Sequence, residues 1–147
     1  HGAALKAIDT YARIGTETGV AAADPHKLIM MLFEGAQLAI ADARKHMERR
    51  NVAARGESIS KAISIIDSGL RASLDMKVGG ELAGRLSSLY EYMVQRLLWA
   101  NFKVDIEALD EVSRLLGEIG GAIQRLRIYR IDHPMLFDGI FSEQQIY

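Results

Sequence analysis

The sequence predicts an all-α protein: an antiparallel up-down four-helix bundle preceded by a mobile N-terminal arm. Three observations support this fold class. Only 2 of the 147 residues are proline, so strong helix breakers are rare. Apolar residues recur at three- and four-residue spacing in four separate stretches, which is the pattern of a helix with one buried face. The connections between those stretches are short, which favours antiparallel neighbours.

The chain divides at residues 23 and 126. In residues 1–23 Gly15 and Gly19 interrupt any helix, and the apolar residues stand alone, which predicts the mobile arm. Residues 24–126 contain the four helical stretches, which predicts one bundle domain. Residues 127–147 form a C-terminal extension to which the pattern assigns no definite role, because Pro134 keeps the last helix from running through it.

The first two helices have clear signals. Asp24 and Pro25 begin helix A, because aspartate accepts hydrogen bonds from free backbone N–H groups and proline suits the first helical position. Helix A is predicted over residues 25–49, and a tight turn follows at residues 50–52. Helix B comes next. The apolar face of helix B comprises Ile59, Ile63, Ile66, Leu70 and Leu74.

A glycine-ended loop at residues 75–80 is predicted before helix C. The principal apolar stripe of helix C comprises Leu82, Leu86, Leu89, Met93, Leu97 and Ala100. Asn101 is expected to end this helix, and Asp105 is expected to cap helix D. The stripe of helix D comprises Ile106, Leu109, Val112, Leu116, Ile119, Ile123 and Leu126.

Two helices carry more apolar surface than one bundle contact needs. Helix A has two neighbouring stripes, one through Leu28 and Leu32 and another through Ile29 and Phe33. Helix C has further apolar residues outside its principal stripe: Tyr90, Val94, Leu98, Trp99 and Phe102. One interpretation is a wide core with ordinary exposure, because folded surfaces are more than half apolar. The other is a groove for a partner helix, which the 6 methionines favour because methionine adapts to irregular partners.

Composition and residue spacing exclude several functions. Lys and Arg (18) nearly balance Asp and Glu (19), so no overall field attracts nucleic acid or an anionic membrane. Cysteine is absent, which suits a reducing compartment. We find neither a bilayer-spanning run nor a signal-peptide pattern. We therefore expect a protein of the cytosol that neither binds nucleic acid nor inserts directly into a membrane.

Catalysis and metal binding are not predicted. His26 and His46 lie nearly a helix apart, and no glutamate precedes a histidine by three residues, as di-metal bundles require. The serines of helix B have no nearby histidine to act as a base. His46 also lacks the Gly and Lys pattern that surrounds the histidine of a phosphorelay bundle. We predict no enzyme, no catalytic residue, no cofactor and no metal.

Five segments, in order across residues 8–126, resemble one known family. They read YARI at 11–14, DPHKLIMMLFEGA at 24–36, GESISKAISIIDSGL at 56–70, GGELA at 79–83 and LYEYMVQRLLWAN at 89–101. The family is that of the flagellin-specific secretion chaperones called FliS, in which a serine stands at the position of Asp24. Residues beyond 127 match nothing in the family.

The resemblance implies a cytoplasmic four-helix bundle that binds the disordered C-terminal segment of flagellin in apolar grooves. Such a chaperone prevents premature polymerisation and delivers its client to the export gate, through the cytoplasmic domain of a membrane protein. Ile8 and Tyr11 match the positions of an Ile and a Tyr that contact the gate in the family. The client-binding residues that we predict are Ile65, Gly69, Tyr90, Val94, Leu98, Trp99 and Phe102.

Two alternatives to this function remain open at this point. The first is a helical adaptor or structural protein that self-associates, as a homodimer, through the same apolar faces. The second is a phosphorelay bundle that uses His46. The apolar extension leaves a separate choice, since residues 128–147 either dock in the client groove as an intramolecular competitor, extend the core beside helix D, or are foreign to the protein.

Overall fold

The computed structural model describes residues 24–130, which form four helices in chain order. They are α1 (Pro25–Glu48), α2 (Val52–Ser64), α3 (Met76–Lys103) and α4 (Ile106–Ile123). A seven-residue π-helix, Ile65–Arg71, continues α2 directly. The described range contains no strand, only an isolated bridge between Leu74 and Tyr129. The predicted all-α class is confirmed.

Each helix packs against the next in sequence, and α4 closes the ring by packing against α1. Contacts between helix ends give the directions. Arg55 near the start of α2 donates to Asn101 near the end of α3, and Arg44 near the end of α1 pairs with Asp110 near the start of α4. Neighbouring helices are therefore antiparallel, and the predicted up-down four-helix bundle is confirmed.

Every α-helix begins at a side chain that caps it. The caps are Asp24, Asn51, Asp75 and Asp105, and each accepts a hydrogen bond from a backbone N–H group in the first turn. Such a bond satisfies a donor that has no partner within the helix and stabilises the fold by about 1 kcal/mol. The caps predicted at Asp24 and Asp105 are confirmed.

The prediction of a loop at residues 75–80 is wrong. Asp75 caps a helix that already begins at Met76, and Gly80 forms a kink inside α3 with φ 50° and ψ −126°. Glycine permits this backbone because it has no Cβ. The prediction that Asn101 ends the helix is also wrong, since α3 continues to Lys103.

Helix α1 has more buried residues than any other helix of the bundle. Its buried residues are Leu28, Ile29, Leu32, Phe33, Gly35, Ala36, Ala39, Ile40, Ala43 and Met47. The helix packs on α2 and the π-helix as well as on α4, so both predicted stripes are covered by the bundle itself. The surplus apolar surface expected on helix A is therefore not available to a partner.

Among residues 24–130, none of the helices has the length and hydropathy needed to cross a membrane.

Candidate functional site

The outer surface of α3 carries exposed apolar side chains near its C-terminal end. Leu98, Trp99 and Phe102 expose 55%, 44% and 76% of their surface, and Val104, just after the helix, exposes 51%. Val94 is half-buried against the core. Side chains four residues apart lie on one helical face, so Val94, Leu98 and Phe102 form a continuous row. We call Val94, Leu98 and Phe102, together with the neighbouring Trp99 and Val104, the apolar row.

Lys103 lies beside the two aromatic rings of the apolar row. Its Nζ is 5.5 Å from the centre of the Trp99 ring and 5.1 Å from the centre of the Phe102 ring. An ammonium group is attracted to the face of an aromatic ring by the ring quadrupole. One cation therefore lies within cation–π distance of both rings, which are exposed on the outer surface of α3.

Polar contacts join α2 to α3 at one end of the seam between these helices. Arg55 Nε donates to Asn101 Oδ1 at 2.9 Å, and Arg55 Nη2 donates to the Asn101 carbonyl at 3.2 Å. Leu98 precedes Asn101 by three residues and so lies on the same side of α3. Leu98 of the apolar row therefore lies next to the polar contact that joins α2 to α3.

A second arginine joins the other end of the same seam. Arg71, at the end of the π-helix, donates from Nε to Ser87 Oγ at 3.1 Å and pairs with Glu91 at 3.4 Å. Val94 follows Ser87 by seven residues and Glu91 by three, so it lies on this side of α3 as well. Between the two arginines the seam presents Val94 and Leu98, which form an apolar floor.

The opposite side of α3 is bridged to α4 through Glu111. The Tyr92 hydroxyl donates to Glu111 at 2.6 Å, and Arg96 Nε donates at 2.7 Å. These hydrogen bonds, from Tyr92 first and Arg96 second, lower the pKa of the Glu111 carboxyl. The same contacts raise the pKa of Tyr92 and of Arg96. Polar groups therefore occupy the α4 side of α3, next to Trp99, whereas Val94 and Leu98 lie on the α2 side and Phe102 lies on the outer surface.

Three of the predicted client-binding residues are buried in this structure. Ile65 and Tyr90 are fully buried, and Gly69 is buried within the π-helix. The expectation that Tyr90 lies outside the principal stripe of helix C is wrong, since its ring packs 6.4 Å from that of Phe33. Leu82, assigned to that stripe, is instead 42% exposed. The buried face of α3 comprises Ala83, Leu86, Tyr90, Met93, Leu97 and Ala100.

A hydroxyl pair explains how the polar end of Tyr90 is accommodated in the core. The hydroxyl groups of Tyr90 and Tyr129 share a hydrogen bond, and a buried tyrosine usually has such a partner. Burial is the main cause that raises the pKa of Tyr90, followed by the Tyr129 charge. Burial also raises the pKa of Tyr129 to about 12. Both phenols are therefore held in their neutral form.

The structure thus brings four predicted residues together on one exposed helix face: Val94, Leu98, Trp99 and Phe102. The two predicted gate residues, Ile8 and Tyr11, lie outside the described residues. Lys103 and the contact between Arg55 and Asn101 border the site and were not predicted. Lys103 could have been found from its spacing in the sequence, because it lies four residues after Trp99 and next to Phe102.

The interpretations that need a metal or a histidine gain nothing from the site. His46 lies in the last turn of α1, on the helix diagonally opposite α3. Within the part of the chain that the structure describes, no three His, Asp or Glu side chains are arranged to hold a metal ion.

An exposed apolar row on a closed helical bundle is typical of a protein that binds another chain. Comparison with known proteins specifies the kind of binding protein: residues 7–127 match the family described as flagellar protein FliS, and the chain belongs to this family. The predicted function as a flagellar secretion chaperone is confirmed. The family is one of chaperones and not of enzymes.

Three curated relatives show how much of the chain is shared. The flagellar secretion chaperone FliS of Salmonella typhimurium is 49% identical over 119 residues, which cover 81% of this chain and 88% of that protein. FliSB of Pseudomonas aeruginosa is 48% identical, over 79% of this chain and 91% of its own length. FliS of Escherichia coli is 44% identical, over 81% and 88%.

Proposed function

We propose that this chaperone binds the disordered C-terminal segment of flagellin on the exposed face of α3, prevents its premature polymerisation and delivers it to the export gate from the cytosol. The apolar row is the observation that carries this proposal. A chaperone that protects a chain before export has to cover apolar client surface, and the row is an apolar surface that the bundle leaves open.

The aromatic residues of the row are expected to supply most of the binding energy. Trp and Phe each bury large areas, and tryptophan is enriched among the residues that dominate protein interfaces. Leu98 and Val94 extend the same surface into the seam with α2. A disordered client has to be ordered on binding, which favours a long wrapped interface over one compact patch. The row is therefore one part of a longer client path.

The buried members of the predicted site act in this proposal from inside the bundle. Ile65 and Gly69 lie in the π-helix, which packs on α3, and they support the floor of the seam from the α2 side. Tyr90 supports α3 from the core. Substitution of these three residues is expected to alter client binding through the shape of the seam.

The proposal is tested by titrating the full chain with a synthetic flagellin C-terminal peptide. Trp99 is the only tryptophan, so its fluorescence reports burial of the row, and calorimetry measures the affinity. Leu98→Ala with Phe102→Ala is expected to weaken binding by about tenfold or more, because each removes an apolar contact of about 1 kcal/mol or more. No change in fluorescence together with no heat would rule out this site.

Leu38 provides a matched control for that titration. It is an apolar side chain that is 65% exposed, but it lies on α1, which does not adjoin the apolar row. Leu38→Ala is expected to leave the affinity for the peptide unchanged. An equal loss of affinity in this variant would show that general surface hydrophobicity, and not the row, binds the client.

Contact with the export gate is assigned, in this proposal, to the arm. Ile8→Ala with Tyr11→Ala is expected to weaken capture of the loaded chaperone by the cytoplasmic domain of the gate protein more than it weakens client binding. Pull-down on the immobilised domain, beside calorimetry with the flagellin peptide, separates the two effects. Equal loss of both activities, or of neither, would refute the assignment.

Self-association through the apolar row is a second candidate, because the same exposed surface could cover itself in a homodimer. Light scattering of the chain with and without the flagellin peptide separates the two. A dimer that persists at saturating peptide would favour the second candidate, and a one-to-one complex with the peptide favours the chaperone role.

A further inference from the structure

The last residues that the structure describes are bound beside the start of α3. The Asp75 N–H group donates to the Ile128 carbonyl at 2.7 Å, and the Arg130 N–H group donates to the Ser73 carbonyl at 2.7 Å. Ile128 is buried, with 7% of its surface exposed. Arg130 is therefore held in place, and the chain that follows it starts at this end of α3.

The same end of α3 carries exposed apolar side chains. Met76, Val78 and Leu82 expose 54%, 68% and 42% of their surface. They lie on both sides of the kink at Gly80. We call Met76, Val78 and Leu82 the start patch. All three are left partly uncovered by the part of the chain that the structure describes, so the patch can accept another apolar surface.

Residues 131–147, which we call the tail, lie outside the described residues. Their sequence contains an apolar run, Met135, Leu136 and Phe137, which begins five residues after Arg130. Side chains of this kind are buried in most folded proteins, because burial removes apolar surface from water. An apolar run that follows so soon after a fixed residue is therefore expected to pack on a nearby apolar surface of the bundle.

The charges of the tail also suit this end of the bundle. The tail contains neither lysine nor arginine, and its acidic residues are Asp132, Asp138 and Glu143. Lys77, in the first turn of α3, and Arg127, after α4, are both exposed. The carboxylates of this part of α3 are already engaged, since Asp75 caps the helix and Glu81 pairs with Arg85. Opposite charges therefore favour the approach of the tail, most strongly at low salt.

The length of the connection distinguishes the start patch from the apolar row. A fully extended chain advances at most about 3.6 Å per residue, so Phe137 lies no more than about 25 Å from Arg130. Leu98 of the apolar row lies about 33 Å beyond Met76 along α3, at a rise of about 1.5 Å per residue. The apolar run therefore reaches the start patch with length to spare for a turn at Pro134, but it does not reach Leu98.

We propose that the tail folds back on the start of α3 in the same molecule, where Met135, Leu136 and Phe137 cover the start patch. A tethered segment acts at an effective concentration of roughly millimolar order, so even weak apolar contacts keep it in place. The tail thus shields one exposed apolar surface of the bundle from other molecules and leaves the apolar row open. This arrangement does not depend on which partner binds the apolar row.

Disulfide trapping in the full chain tests where the tail lies. The chain has no cysteine, so Val78→Cys with Leu136→Cys introduces one defined pair. Mild oxidation is expected to join this pair within one chain about tenfold faster than the control pair, Ala72→Cys with Leu136→Cys. Ala72 is exposed and adjoins Ser73, to which Arg130 is bonded, so it lies close to the start of the tail but outside the patch.

A double-mutant cycle tests the contact itself, without any cross-link. Leu136→Ser is expected to lower the Tm of the full chain by roughly 2–4 °C, because it removes an apolar contact with the start patch. In a Val78→Ser background the same substitution is expected to have no further effect, since the contact is already lost. Leu98→Ser is the control background, and Leu136→Ser is expected to keep its full effect there.

Three results would overturn the proposal. The first is oxidation at equal rates of the pairs that contain Val78→Cys and Ala72→Cys, which would show that the tail has no preferred position. The second is an effect of Leu136→Ser that persists in the Val78→Ser background and vanishes in the Leu98→Ser background, which would place the tail on the apolar row. The third is a disulfide that joins two chains, which would assign the start patch to the tail of a second copy.

Discussion

The ring of Phe33 in α1 packs directly against the backbone of Gly120 in α4, where a Cβ would come within 3.3 Å of Phe33 Cδ1. Phe33 is 3% exposed, and the ring of Tyr90 packs against it, so it has little room to move. This contact sets the distance at which the last helix of the bundle closes on the first.

We predict that Gly120→Ala destabilises the bundle by about 1 kcal/mol. Overpacking a tight core contact costs roughly 1–3 kcal/mol, which exceeds the gain of up to about 1 kcal/mol from replacing a helical glycine by alanine. Gly121 is the matched control, since nothing lies within 4 Å of its Cβ position, and Gly121→Ala is expected to stabilise. Urea denaturation measures the free energy of unfolding of both variants. Equal stability of Gly120→Ala and Gly121→Ala would show that the contact between Phe33 and Gly120 tolerates a Cβ.

Gly80 allows a second paired comparison within α3. Its φ of 50° lies in a region that residues with a Cβ rarely adopt, so Gly80→Ala is expected to destabilise the protein by about 1–2 kcal/mol. Gly84 has an ordinary helical backbone with open space around it, and Gly84→Ala is expected to stabilise by up to about 1 kcal/mol. Thermal unfolding distinguishes these opposite signs. A stabilised Gly80→Ala variant would mean that the kink is dispensable.

Val104 ends α3 in a left-handed conformation, with φ and ψ both 53°. This conformation is unfavourable for a β-branched residue, and half of the side chain is exposed, so little packing offsets the strain. Val104→Gly is expected to raise the free energy of unfolding by about 1 kcal/mol. Val78, an exposed valine in the first turn of α3, is the control, and Val78→Gly is expected to lower stability. A loss of stability in both Val104→Gly and Val78→Gly would show that the backbone of Val104 is not strained.

The Glu111 carboxylate predicts a specific dependence of stability on pH. Its pKa is lowered in the folded protein, so the ionised carboxylate stabilises the fold above the ordinary glutamate pKa of about 4.3. That contribution is lost as the pH falls through the lowered folded pKa. Glu111→Gln is therefore expected to be less stable than the parent protein at neutral pH and to differ little from it in acid.

Tyr92→Phe isolates the larger cause of that shift. Removal of the hydroxyl is expected to raise the pKa of Glu111 toward its ordinary value, which NMR titration of the side-chain carboxyl can follow. An unchanged pKa in this variant would show that the hydrogen bond from Tyr92 is absent in solution.

The local signals in the sequence predict the start of a helix well and its buried face less well. Asp24, Pro25 and Asp105 mark helix starts because a cap acts on backbone groups within the same turn. The choice between Leu89 and Tyr90 as a core residue depends on Phe33 and Tyr129, which are distant in sequence. Neighbouring positions on a helix fit almost the same apolar pattern, so only the tertiary partners decide between them.

The candidate site, too, is predicted only in part from the sequence. Leu98, Trp99 and Phe102 are predicted from a surplus of apolar residues on helix C, and the structure leaves them exposed. The same argument fails for α1, because the sequence does not say how much of a helix its neighbours cover, and both apolar stripes of α1 are buried against α2, the π-helix and α4. The role of Leu98, Trp99 and Phe102 in client binding stays a prediction.

The π-helix has a consequence for how α2 tolerates a change of length. Burial from Ile65 onward recurs every fourth residue, at 65–66, 69–70 and 73–74, whereas four residues of an α-helix overshoot a full turn by about 40°. The wider turn, in which the Ala72 N–H group bonds to the Asp67 carbonyl, removes that overshoot. The stretch can therefore lose one residue and become an ordinary α-helix without rotating the residues that follow. The protein is thus expected to keep the packing of its four helices when one residue is deleted here.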